Sequence, residues 1–500
     1  MRVSLSWLKQ LVQVTDSVDA LAHRLSMAGF EEEEIEDLSA RAKGVVVGFV
    51  KEREKHPNAD KLSVCQVDVG SEELIQIVCG AKNVRAGLHV PVAMVGAELP
   101  AVNLTIKAGE LRGVSSNGMI CSLSELGLAT ESDGIAELDA LTDELPALGA
   151  PVAPMLGLDD TVLELAITAN RPDGLSMVGI AREVAALTGA ALTLPDLTLK
   201  PAHELLQASD ASAEAMQAGG LYSVTLIEGV DGSNVSPTWV QQRLERAGIN
   251  RVNAVVDITN VVMLEQGQPL HAFDADALEQ LTGKPVNAAS FGLRQAREGE
   301  AFIGLDDREL SLDVRAQVVT CHDLPVALAG VMGSKASGVT AATGRIWLES
   351  AMFSPAAVRT TARSVGLRTD ASARFEKGLP REMTLACSIR ALELLKELFP
   401  CEAKGLWVCG DSAADASSVL LRRDALHQLL GPLEDEEGSS DLADAVIEQC
   451  LTALGCELST SDEGWHVIAP PSRRLDVARE IDPVSYTHLQ AHETLPYRVC

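Results

Sequence analysis

The chain has 500 residues, 46% of them hydrophobic, and a formal net charge of −30. That length exceeds one ordinary core and predicts three or four domains, while the acidity argues against a protein that coats nucleic acid through bulk electrostatics and leaves room for a local basic face. No apolar run reaches bilayer length, and Ser4, Ser6, Lys9 and Gln10 interrupt the opening, so neither a membrane span nor a signal peptide is expected and the cytoplasm is the default compartment.

In chain order, residues 1–40 read as an amphipathic helical opening, with Leu21, Leu25 and Ala28 at helical spacing and Gly29 as a stop. The run EEEEIED (31–37) reads as a solvated linker. Residues 41–150 change character: GVVVGFV, LSVCQVDVG and LIQIVCGA are β-branched runs bounded by Gly, Asn and Pro, which predicts a small β-barrel. Residues 152–195 return to mixed structure, with a helix over GLSMVGIAREVAALTGA, and 192–220 read as a polar linker. Residues 210–398 alternate strand-like and helix-like segments and predict an α+β domain. There LYSVTLIEGV is a strand, and SPTWVQQRLERAGI is a helix with Ser236 as N-cap and Pro237 in the first turn. Residues 400–482 make a smaller helix-and-strand unit. The fold class is therefore multi-domain α+β.

Ten cysteines are scattered with no CxxC pair, and the bland reading, small buried apolar residues in a reducing compartment, is preferred. His488 and His492 stand at helical spacing but lack a third ligand, so zinc is not expected. No P-loop and no dinucleotide fingerprint is present. Aromatic residues are only 3%, which limits base-stacking platforms. The stretch DITNVVMLEQGQPLHAFD (257–274) sets a carboxylate, a hydroxyl, an amide and an imidazole beside an apolar run. These groups either satisfy one another in a core or line a pocket for a polar ligand. Asp257 reads as a structural partner for nearby backbone or an Arg, and Val261 to Leu264 as core.

Three segments carry a resemblance. VVVGFVKEREKHPNADKLSVCQVDVG, IQIVCGAKNVRAGLHVPVAMVGAELP and LRGVSSNGMICSLSELGL stand in order within 44–130 and resemble the tRNA-binding OB-fold module. An OB barrel offers a shallow face with exposed loops. The resemblance puts Lys55, His56, Asn58, Lys61, Lys82, Asn83, Arg85, Arg112, Ser115 and Ser116 on that face; for each basic residue the alternative is a solvated surface charge.

SLSWLKQLV and LELAITANRPDGLSMVGIAREVAALTG flank the module, and VNAVVDITNVVMLEQGQPLHAFD, LESAMFSPAAVRTTARSVGLRTDASARFEKG and PPSRRLDVAREID follow. The ordered set resembles the bacterial phenylalanyl-tRNA synthetase β subunit over about residues 1–482. The resemblance implies a split N-terminal domain (1–40 plus 152–195) and an inserted OB-fold domain (41–150). It also implies a B3/B4-like editing domain (210–398) and a small domain of DNA-binding type (400–482), with no DNA expected as ligand. It implies hydrolysis of tyrosine wrongly attached to tRNA(Phe), with His271, Glu349 and Thr369 as catalytic residues. Thr259, Asn260, Gly330, Gly333 and Ala371 would bind substrate.

That chemistry is coherent. Phe and Tyr differ by one hydroxyl, and a second site that recognises the hydroxyl corrects errors the first admits. Glu349 suits acceptance of a phenol hydrogen bond. A positioned water and a stabilised oxyanion suffice to cleave the ester, with His271 acting as base or, as preferred here, as a positioning group.

The family further implies a partner α subunit holding the ATP and phenylalanine site, in an assembly of two α and two β chains. It implies magnesium bound by an Asp pair, here Asp476 and Asp482, with two glutamates whose positions fall on Ser485 and Tyr486. Residues 359–381 hold six Arg/Lys against two acids and face either tRNA phosphates or another domain. The tail 483–500 departs from the family and reads as foreign sequence. The alternative function is a free-standing tRNA-binding or deacylating protein, and a scaffold without editing is a third.

Overall fold

The computed structural model describes residues 1–142, 144–197, 205–207, 220–410, 418–435 and 438–494, with backbone alone for 205–207, 433–435, 438–439 and 488–494. Most of the expected linker at 192–220, the His488 and His492 side chains and residues 495–500 lie outside the described residues. The chain divides into two compact units, one of 1–34 with 163–500 and one of 35–162.

The second unit is built on an antiparallel sheet of five strands, ordered Gly118–Ile120, His89–Met94, Val45–Lys55, Ser63–Asp68 and Ile75–Cys79. Alternation explains its interior: Ser63, Cys65 and Val67 point inward and their neighbours outward. A register shift between Val50 and Glu52 marks a bulge, which increases local twist and helps a sheet curl. The Asn117 N–H donates to the Gln76 carbonyl at 2.9 Å, joining the two edges into a nearly closed barrel-like sheet. Val50, Cys65, Val67, Ile77, Val90, Val92 and Ile120 fill it. Gly48 is needed at that density, because a Cβ there would stand 2.6 Å from Val92.

In the first unit, Ser4, Ser17 and Ser176 cap the helices Leu5–Leu11, Val18–Met27 and Met177–Thr188. The acidic run expected as a linker instead forms the edge strand Glu32–Asp37.

A five-stranded sheet follows, ordered Leu205–Gln207, Glu402–Cys409, Leu221–Glu228, Arg345–Met352 and Leu270–Asp274. Period-two alternation splits its residues between two layers. Leu221, Leu406 and Val408 pack on Leu385 of the helix Arg381–Leu398. Tyr222, Val224, Phe273 and Trp347 enter the opposite core with Phe291, Val318 and Leu328 of a second, four-stranded sheet.

The apolar stretch of 254–266 is a helix buried on nearly every side, Val261 to Leu264 included. Its polar groups must therefore find partners. Asp257 accepts from the Val252 N–H at 2.8 Å and from the Ser236 hydroxyl at 2.6 Å, as its structural reading anticipated. Ser236 is not the helix cap: the helix begins at Thr238, Pro237 occupies the cap position, and no side chain caps it.

The remaining residues form a three-stranded sheet with helices around Trp465. Residues 481–494 are helical, and Val484 and Tyr486 are buried in that core.

Candidate active site and nucleic-acid face

Strand pairing brings distant residues together. His271 is the register partner of Glu349, and Glu349 is also the partner of Val224. Side chains two residues apart on one strand share a face, so Tyr222, His271 and Glu349 look into the same space. The Tyr222 hydroxyl donates to Glu349 Oε2 at 2.8 Å. His271 meets the Phe273 ring edge-on at 4.5 Å.

Across this face lies a small cavity, about 70 Å³, lined by His271, Gly330, Gly333, Glu349, Ala371 and Phe375 among others. Two glycines shape its wall. Gly330 has φ +69°, and a Cβ would press on Val358, Phe353 and Phe375. A Cβ on Gly333 would lie 2.3 Å from His271 Cε1. Thr369 stands behind the wall as the N-cap of the helix Asp370–Phe375. Its hydroxyl accepts from the Ser372 N–H at 3.1 Å and donates to the Val331 carbonyl at 2.9 Å, tying the helix to the glycine segment. Thr259 and Asn260 do not line the cavity: the Thr259 hydroxyl turns back onto the Val256 carbonyl of its own helix at 2.7 Å.

Electrostatics distinguish the pair. Burial pushes Glu349 up to about 7, opposed only by the Tyr222 hydrogen bond. Burial pulls His271 down to about 4. Its Nε2 is buried with no hydrogen-bond partner among the described residues. Near neutral pH the site therefore holds a neutral imidazole beside a carboxyl poised between its two forms.

The ten barrel residues divide. His56 is buried, its Nε2 donating to the Leu111 carbonyl at 2.9 Å while Nδ1 accepts from Asn58 N–H at 3.1 Å. Asn58 holds the Arg112 carbonyl, and Asn83 holds Ile135. Ser116 accepts from Val78 N–H, and Ser115 accepts from Gln76. Arg85 makes a two-pronged pair with Glu137 at 2.8 and 2.9 Å. Lys55, Lys61, Lys82 and the Arg112 side chain are exposed. The basic run divides too: Arg374 and Lys377 turn inward to the carbonyls of Leu175, Ile167 and Thr168, while Arg359, Arg363 and Arg368 stay exposed.

Residues 218–400 match the family described as B3/4 domain, and 45–144 the family described as "Putative tRNA binding domain". A phenylalanine–tRNA ligase β subunit from Parasynechococcus marenigrum is 95% identical over 482 residues, 96% of this chain and 59% of that protein. This chain resembles the phenylalanine–tRNA ligase β subunit. Another, from Synechococcus sp. strain CC9605, is 70% identical over the same shares of both proteins. A crystallised N-terminal fragment of the phenylalanyl-tRNA synthetase β subunit from Pyrococcus horikoshii matches at 16% identity and a TM-score of 0.34, covering 67% of this chain and 88% of that one. The chain spans about 59% of the length of the first β subunits it matches.

The magnesium that β-subunit kinship implied does not fit the residues present. Asp476 Oδ1 accepts from Asn170 at 3.1 Å, Oδ2 is buried without a partner among the described residues, and burial pushes the carboxyl up. Asp482 is committed to the N–H groups of Ala478 and Arg479. Of the two positions expected to be glutamates, Tyr486 instead stacks under Arg473 and Arg171. Among the described residues, no group of three or more His, Cys, Asp or Glu could hold a metal ion. No described helix is long and apolar enough to cross a membrane.

Tyr222 is the site residue that sequence reasoning missed, taken only as part of a strand. A signal existed: it is one of three tyrosines in the chain, and a tyrosine in an apolar strand needs a partner for its hydroxyl.

Proposed function

We propose that this chain acts as the β subunit of a phenylalanine–tRNA ligase, binding tRNA(Phe) and hydrolysing tyrosine mischarged onto it. The observation that carries this reading is the His271–Glu349 pair facing one cavity beneath Gly333. The high identity to β subunits supports the wider role.

In this reading Glu349 accepts the phenol hydrogen bond that separates tyrosine from phenylalanine. His271 positions water and ester through its unpartnered Nε2; a group pulled to about 4 is a poor general base near neutrality. Thr369 holds the wall in place, and Gly330, Gly333 and Ala371 admit the aminoacyl group close to the backbone. Thr259 and Asn260 contribute through the helix beneath the His271 strand. The cavity of about 70 Å³ has room for about two waters, so the glycine segment must yield for a tyrosyl group to enter.

Domains 1–40 with 152–195, an OB-fold barrel at 41–150, an editing domain at 210–398 and a small domain at 400–482 complete the assignment. Of the ten barrel residues, Lys55, Lys61, Lys82 and Arg112 leave exposed cations to meet phosphates. Attachment of phenylalanine, with its ATP and Mg2+, falls to a partner α subunit, in an assembly of two α and two β chains.

The test is release of tyrosine from tyrosyl-tRNA(Phe). The chain should release it at a rate that Glu349→Ala lowers at least tenfold. An ester that wild type and variant leave equally intact rejects the proposal.

A further inference from the structure

The acid of the cavity is already bonded to a phenol, and that phenol belongs to the chain. Tyr222 is the register partner of Ala351, one pleat repeat from Glu349. Its ring is buried, 6.4 Å from Phe291 between centroids, and strand register prevents it from turning to the other face. An ionised carboxylate only accepts hydrogen bonds and does so at both oxygens. With Oε2 held by Tyr222 at 2.8 Å, the second oxygen is the one left for a donor in the cavity.

We propose that Tyr222 is a positioning residue for tyrosine recognition: its hydroxyl fixes Glu349 and holds it as an acceptor, so that the remaining oxygen receives the phenol of the tyrosyl ester. This rests on the editing reading above and deepens it. A phenylalanyl ester would leave that oxygen buried and unpaired, which penalises the wrong substrate. Tyr222 donates one bond to the charged form and so opposes the burial that would neutralise it.

The titratable groups facing the pair are few. His271 comes from the neighbouring strand. Cys321 of the second sheet acts on the Tyr222 hydroxyl. Cys409 is the register partner of Tyr222. On the helix carrying Ala371 and Phe375, Asp370 and Arg374 pair with each other at 3.3 Å. Only burial and the Tyr222 hydroxyl act appreciably on Glu349.

The experiment compares hydrolysis of tyrosyl- and phenylalanyl-tRNA(Phe) across pH 6 to 9 by the full chain, Tyr222→Phe and Glu349→Gln. Tyr222→Phe should lower kcat/KM for the tyrosyl ester about tenfold near pH 7, move its pH midpoint up by about one unit and shrink the preference for the tyrosyl over the phenylalanyl ester. Glu349→Gln should abolish the midpoint. If Glu349→Gln silences tyrosyl hydrolysis while Tyr222→Phe keeps the wild-type midpoint and selectivity, the role of Tyr222 falls and the editing reading stands. If Glu349→Gln hydrolyses the tyrosyl ester like wild type, or wild type leaves it intact, both fall. A second measurement preserves the shape of the site: replacing the chain's three tyrosines with 3-fluorotyrosine strengthens the donor. The midpoint should then move down, and an unmoved midpoint overturns the proposal.

Discussion

Two buried polar clusters in the first unit follow opposite rules. In one, Arg171 meets Asp173 at 3.0 Å and Glu183 at 2.9 Å, and Arg473 closes on the same two acids. Burial pushes Asp173 up, but Arg473 and Arg171 more than offset it, and the carboxyl stays below its ordinary range. In the other cluster, among the described residues, Glu349 has only the Tyr222 hydroxyl and His271 Nε2 has no partner. Burial wins there and carries both groups toward their neutral forms. The difference teaches that buried polarity serving structure is paired with opposite charge, whereas the cavity keeps groups short of partners, at a cost in stability that a ligand can offset.

That contrast can be broken by substitution. Glu183→Ala leaves two buried arginines facing one acid and should destabilise the first unit by about 3–5 kcal/mol in denaturant unfolding. Glu349→Gln should cost far less, because Glu349 has no opposite charge to abandon. Equal losses would erase the distinction between the clusters.

Next in size is Gly333→Ala. The added methyl would collide with His271 and should cost about 1–3 kcal/mol of stability. Tyrosyl-tRNA(Phe) hydrolysis should fall at least tenfold with it. Hydrolysis at the wild-type rate would remove this wall from the mechanism.

The proton linkage sharpens the comparison further. His271 drops from an ordinary 6.5 to about 4, so unfolding takes up a proton in between and stability is lost as pH falls through that window. Glu349 rises from 4.5 to about 7, so unfolding releases a proton there and stability is lost as pH rises. Between pH 4.5 and 6.5 the two slopes cancel. In Glu349→Gln the histidine acts alone, and stability of the His271 strand should rise by about 1.4 kcal/mol per pH unit; in His271→Gln it should fall by the same amount. Amide hydrogen exchange of the paired strands Leu270–Asp274 and Arg345–Met352 reads both, and a flat profile in either variant contradicts the assigned shifts.

The smallest effects belong to the barrel. Lys61→Ala should leave stability unchanged, weaken tRNA binding modestly and reduce its salt slope by about one. His56→Ala should instead loosen the barrel, since that side chain joins Leu111 to Asn58. If binding follows His56 and ignores Lys61, the division between scaffold and exposed cations is wrong.

Much was legible in the sequence. β-branched alternation marks the barrel strands, and the apolar run at Val261 to Leu264 is buried. The family resemblance singled out Gly330, Gly333, His271, Glu349 and Ala371, which one cavity gathers. The failures have a common cause. Local rules make Ser236 a cap, but the helix starts one residue later, at Thr238, and the Ser236 hydroxyl donates to a carboxylate 21 residues away. The acidic run looked like a linker because its charges suit water, and an edge strand satisfies them equally. The family resemblance sets Thr259 and Asn260 with His271, whereas their helix points the Thr259 hydroxyl at its own backbone.

The sequence by itself determined which residues could do chemistry and which segments had to be core, because side-chain chemistry and periodicity are local properties. Only the tertiary structure decided which of those residues meet. Antiparallel register, set by burial of alternating apolar faces, put Glu349 opposite His271 and within reach of Tyr222. The depth of that burial, which no local pattern encodes, carries a carboxyl and an imidazole toward their neutral forms.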